Sequence, residues 1–214
     1  MEIVKIVKIP ELEDQISKSG GGTWSKLLKA FYYTRLFKYV HKQQYRKIDN
    51  LFYKCTATKK LLVYCERGYL FSPQKDVYCA TKKVDPFLKE ADLGYVFPDE
   101  PKGKGDINEL NNTDVFITLS KEEHFYTLLF PSFGYLIPDA LLVEKNNDKY
   151  RLTCIEVEAS KPDWNNWILE KKANYLKLSQ DIQFYDWWIT KCDKLGFKKP
   201  TIEEFKFNYK IIKQ

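Results

Sequence analysis

The sequence predicts an α/β (α+β) chain, with a small helical part first and a part mixing strands with helices second. Three observations predict it. Trp24, Leu27, Leu28 and Phe31 recur at the spacing of one helix face. Two apolar runs, Ile137 to Val143 and Leu152 to Val157, flank the polar stretch Glu144-Lys-Asn-Asn-Asp-Lys149 and read as a β-hairpin. Between the halves, Asp99-Glu-Pro-Lys-Gly-Lys-Gly-Asp106 and Asn108-Glu-Leu-Asn-Asn112 are polar and punctuated by glycine and proline. Residues 85–112 are therefore expected to form a linker or long loop between domains at 1–84 and 113–214.

Composition narrows the classes. With 44% hydrophobic residues among 214, the chain can bury a core. Five cysteines, an odd number with no CxxC pair, argue against a disulfide framework and against a zinc ribbon. No apolar run approaches the ~20 residues that span a bilayer, and Met1 to Ile9 alternates apolar and charged residues unlike a signal peptide. The expectation is an intracellular, cytoplasmic protein with no membrane partner. A net charge of +6 favours an anionic partner such as DNA.

In chain order, residues 1–10 suit a short strand. Ser17-Lys-Ser-Gly-Gly-Gly-Thr23 reads as a flexible connector, because no GKS/T follows to make a phosphate loop. Helices are expected from Thr23, over about 43–54, and from about Thr58 to a stop at Gly68, although Leu61 to Cys65 also suits a strand. Tyr69-Leu-Phe-Ser, the Pro73-Gln-Lys-Asp76 turn and Val77-Tyr-Cys-Ala then form a hairpin. Three short helices and a hairpin over residues 23–83 resemble a winged helix-turn-helix. The resemblance implies that Lys59, Lys60 and Arg67 face DNA, with Lys75, Lys82 and Lys83 on or near the wing. The competing reading is a solvated lysine face on a purely structural subdomain.

The second half opens with the apolar Val115-Phe-Ile-Thr-Leu119. Ser120, three residues before Glu123, makes a capping box that predicts a helix start, with His124 on its surface or in its packing. Ile-Pro-Asp139 then leads into the hairpin. Side chains alternate along a strand, so Glu156 and Glu158 share one face, opposite Ile155 and Val157. Asp139 on the neighbouring strand lets three carboxylates converge. Converging carboxylates repel and raise one another's pKa unless a cation intervenes. Oxygen-only ligands suit Mg²⁺ or Mn²⁺, an ion that activates water and neutralises phosphate charge.

Pro138-Asp139, followed seventeen residues on by Glu156-Val157-Glu158, resembles the PD-(D/E)XK nuclease signature. The resemblance covers about residues 115–190. It implies a restriction-endonuclease-like mixed sheet flanked by helices, and metal-dependent cleavage of DNA phosphodiesters. Asp139 and Glu156 match the metal-binding acids, Glu123 could complete the metal site, and duplex cutting by a single site would call for a homodimer. One position departs: Glu158 stands where the family's lysine is expected. In the helix expected over 162–179, Trp164, Trp167, Ile168, Lys171, Tyr175 and Leu178 form one apolar stripe with Lys171 in its middle. A lysine so placed wants an acidic partner, and the site carboxylates are candidates. Lys172 at the stripe's edge and Lys161 after the strand are the alternatives, and Lys171 snorkelling over Trp167 is the bland reading. Phe184 to Ile189 reads as a strand or core helix, and Glu204 to Ile212 as a strand.

Overall fold

In a computed structural model, which describes residues 5–13, 23–48, 57–94, 96–103, 107–147, 149–158 and 161–213, the helix read from Trp24 to Phe31 is α1, Thr23–Phe37. Every residue from Ala30 to Phe37 is buried, so the second half of α1 is covered on all sides. The fold is α+β and divides into two compact units, Met1–Ile117 and Thr118–Gln214.

In the first unit α1 is followed by a short strand β1, Val40–His41, then α2, Ala57–Glu66, and the hairpin β2, Leu70–Gln74, with β3, Val77–Ala80. The three strands form an antiparallel sheet in the order β1-β3-β2. Leu61 to Cys65 is helical. It ends as the glycine signal predicts: Gly68 has φ +73°, and Tyr69 N–H reaches back to Tyr64 O at 2.9 Å. Arg35, 3% exposed, would be a costly buried charge alone; Asp85 accepts from its Nε at 2.8 Å and the Pro98 carbonyl takes another of its protons.

Several expectations change here. Lys5 to Ile9 is not a strand, and the first four residues and the glycine run at 20–22 lie outside the described residues. The helix expected over 43–54 begins as a 3₁₀ turn at Gln44–Arg46, and residues 49–56 are likewise outside. The stretch expected as a linker carries α3, Asp85–Glu90, and the first half of α4, Ile107–Leu119. Pro86 fits the first turn of α3, where its missing N–H is no loss. The polar α4 is held by tertiary bonds: Gln44 donates to Leu110 O and Asp114, and Thr113 Oγ1 to Tyr39 O. Local polarity was a poor guide.

In the second unit the capping box does not start a helix. Ser120 to His124 is a turn closing α4, with Lys121 and Glu122 N–H bonding Thr118 and Leu119 carbonyls. The chain enters β4, Phe125–Leu129, whose aromatic and apolar residues gain more by pairing with the sheet than by helix. β5, Ala140–Asn146, and β6, Lys149–Glu158, complete an antiparallel meander. Two helices follow, α5, Trp164–Leu178, and α6, Ile182–Leu195, before β7, Asn208–Lys213, joins β6 in parallel. The sheet is therefore mixed, in the order β4-β5-β6-β7. Leu152 to Glu156 is buried without a break, as in a central strand covered on both faces. Tyr150 and Glu156 share a face of β6; Trp188 of α6 donates to the first at 2.9 Å and Tyr175 of α5 to the second at 2.7 Å. Both helices thus pack on that face. Phe184 to Ile189 is helix, and Glu204 to Phe207 precedes β7 as irregular chain. Among the described residues no helix is long and apolar enough to cross a membrane.

Candidate functional site

The site is built where β5 begins. Pro138 is buried just ahead of the strand, where a missing N–H breaks no ladder bond. The β5–β6 register pairs Ala140 with Ile155, which sets Asp139 across from Glu156. Beyond that pair the ladder stops, and the Asp139 carboxylate takes over: its Oδ2 accepts from Val157 N–H at 2.7 Å. One acid is locked by backbone, the other by side chains.

Glu156 is 4% exposed. A carboxylate this deep needs compensation, and two donors from α5 supply it. Lys171 Nζ lies 2.9 Å and Tyr175 Oη 2.7 Å from the same oxygen, Oε1. Among the described residues Oε2 has no hydrogen-bond partner. The helix phase explains the arrangement: the residues of α5 that turn from solvent are Trp164, Trp167, Ile168, Lys171, Asn174, Tyr175 and Leu178, the expected stripe with one addition. Lys172 is exposed, and Lys161 pairs with Glu158 at 3.1 Å. Of the three candidate lysines, Lys171 is the one the structure brings to Glu156.

Burial, and next the Glu156 charge, hold the Tyr175 hydroxyl far above its ordinary pKa, so it stays a donor. The same two causes push up the thiol of Cys154, two residues away on the same face, which keeps it from acting as thiolate. Tyr175 also stacks on Tyr209 of β7, ring centroids 4.7 Å apart and planes 3° from parallel. Sequence reasoning placed Tyr175 in the apolar stripe but gave it no role; its position one turn after Lys171 was the available signal.

Other expected site residues stand apart. Glu123 is exposed in the turn before β4, and Phe125 pairs with Glu144, the fifth residue after Asp139. At ~3.4 Å per strand residue that is roughly 17 Å from the acid pair. Glu123 is not brought to it. Among the described residues no group of three or more His, Cys, Asp or Glu side chains is placed to hold a metal ion. Asp139 and Glu156 remain as oxygen donors, a set that suits a hard cation completing its shell with water. A surface cleft lined by His124, Glu144, Lys149 and Arg151 opens at the other end of the hairpin and has no part in this cluster.

No protein-family model, curated protein or solved structure matches this chain.

The basic residues expected to face DNA are spread over α2 and its end, the β2–β3 turn and a 3₁₀ helix after β3. Lys59 is exposed and Lys60 half-buried on α2, Arg67 is exposed just past its end, and Lys75 is exposed in the β2–β3 turn. Lys82 and Lys83 follow β3 in a 3₁₀ helix, Lys82 facing Asp99 at 3.8 Å. Lys83 is engaged with Glu11 at 2.9 Å and lies 4.3 Å over the Tyr69 ring.

Proposed function

We propose that this protein is a metal-dependent DNA nuclease of the PD-(D/E)XK type, a cytoplasmic enzyme with a winged-helix-like DNA-binding first unit. The observation that carries the reading is the buried cluster at the start of β5: Asp139 opposite Glu156, with Lys171 Nζ 2.9 Å from Glu156. In this reading Asp139 and Glu156 would hold Mg²⁺ or Mn²⁺, which would supply an activated water and charge neutralisation at the phosphate. Val157 N–H fixes the Asp139 carboxylate, and Tyr175 fixes Glu156. Lys171 takes the part of the lysine missing beside Glu156, meeting the charge that builds on the scissile phosphate. Glu158 lies on the same face of β6 and orients water or adds an outer ligand once released from Lys161. The mixed sheet with its parallel last strand, and the order β1-β3-β2 of the first unit, suit the two family resemblances. Lys59, Lys60, Arg67 and Lys75 then contact the DNA, and two copies cut a duplex.

The test is plasmid nicking in Mg²⁺ or Mn²⁺ by wild type and an Asp139→Asn/Glu156→Gln double variant. Nicking by wild type alone is expected; equal nicking by both removes the proposal.

A second reading has a specific observation in its favour. Glu158, in the family's lysine position, is ion-paired with Lys161. A non-catalytic DNA-binding replication or transcription factor on the same core would bind DNA equally with and without chelator and cut under no metal.

A further inference from the structure

Trp164 and Trp167 open α5 and stack on one another, ring centroids 5.3 Å apart and planes 30° from parallel. Both are half-buried, unlike Trp188, which is fully buried in the core. Three ammonium groups approach the rings: Lys213 at 4.8 Å from Trp164, with Lys171 at 5.7 Å and Lys161 at 5.9 Å from Trp167. Lys171 is the side chain that bonds Glu156, so the aromatic pair begins one lysine away from the acids. Lys161 and Lys171 answer Glu158 and Glu156, while Lys213, beside Glu158 in the β6–β7 register, forms no ion pair among the described residues.

We propose that Trp164 and Trp167 form a stacking platform for an unpaired base of single-stranded DNA beside the acid cluster. The inference rests on the nucleic-acid part of the function proposed above and narrows its substrate. The outer faces of the stacked indoles are π surfaces of the kind that bases of any sequence stack on, and lysines over the rings are attracted equally to phosphates. As phosphates draw Lys161 and Lys213 outward, with Lys171 staying on Glu156, the ring faces beneath them open to a base. A blunt duplex cannot use such a surface, since its bases are already stacked on one another.

The experiment is a fluorescence-anisotropy titration at low salt with chelator present, using labelled oligothymidylate and a blunt duplex as separate probes. Trp164→Leu/Trp167→Leu keeps apolar cover for the helix start and removes the rings, and circular dichroism checks that it folds. Expected is a loss of about tenfold or more in oligothymidylate affinity, with duplex affinity unchanged. Lys213→Ala is the second variant, and it should lower the slope of log affinity against log salt for oligothymidylate by about 0.7, one phosphate contact. Unchanged oligothymidylate binding in the leucine variant, or equal weakening with both probes, would overturn the proposal. Because no cleavage occurs in chelator, a protein that binds oligothymidylate through these tryptophans yet nicks no plasmid keeps the platform and loses the nuclease reading.

Discussion

The β5–β6 hairpin carries a glutamate–cation pair at each end, and the two ends differ in what surrounds the charges. At the turn end Arg151 forks onto Glu144, with Nε and Nη2 2.7 and 2.8 Å from the two carboxylate oxygens. The Arg151 side chain is 66% exposed, so the cation stands in solvent although the Glu144 side chain is 13% exposed. At the other end the Glu156 side chain is 5% exposed and Lys171 21%. An exposed pair contributes about 0–1 kcal/mol and needs no special reason to exist. A buried pair is different: its attraction barely recovers the desolvation cost, and apolar residues of equal volume often serve stability as well or better. The turn end keeps its cation in water. The inner end keeps charges where folding alone gives little reason for them, as a site performing chemistry would.

The largest effect that separates the ends should come from Lys171→Met. Removing one partner strands a buried carboxylate, and urea unfolding should show a loss of about 3–5 kcal/mol. Adding Glu156→Gln to that variant should restore much of it. A loss below about 1 kcal/mol would make the two ends alike. Next, Tyr175→Phe keeps the stack on Tyr209 and removes one bond to a charged acceptor, with a loss of about 1–3 kcal/mol by the same measurement.

A pH series sharpens the same point. The folded Tyr175 hydroxyl is raised above its unfolded value of 10.0, so its contribution to stability is complete below pH 10 and is lost as pH climbs above it. Unfolding free energies measured above pH 10 should fall with pH, and more shallowly in Tyr175→Phe. The difference is at most one proton, about 1.4 kcal/mol per pH unit. Equal slopes would mean that the phenol is not held protonated. The smallest effect belongs to the turn end: Arg151→Ala should change stability by under about 1 kcal/mol and leave nicking intact.

The hairpin, its register parity and the phase of α5 could be read from sequence because each is a short-range periodicity: two for β6, about 3.6 for α5. That phase singled out Lys171 before any contact was known. What escaped the sequence was set by distant partners. Asn108 to Asn112 looks like loop, yet α4 forms because Gln44 and Tyr39 supply bonds from far along the chain. Ser120 and Glu123 have the spacing of a capping box, but pairing of Phe125 to Leu129 with β5 decides the strand. Tyr175 looked like core and is core, at 1% exposed; its bond to Glu156 arises only when helix and sheet meet. The same meeting sets Glu123 and Glu158 apart, one stranded at the far end of the sheet and one tied to Lys161.

Whether Asp139 and Glu156 together hold a divalent cation can be read from crystals soaked in Mn²⁺. One anomalous-difference peak is expected between the two carboxylates, absent from crystals of Asp139→Asn/Glu156→Gln. A well-ordered site with no peak, and the Lys171–Glu156 pair unchanged at saturating Mn²⁺, would contradict it.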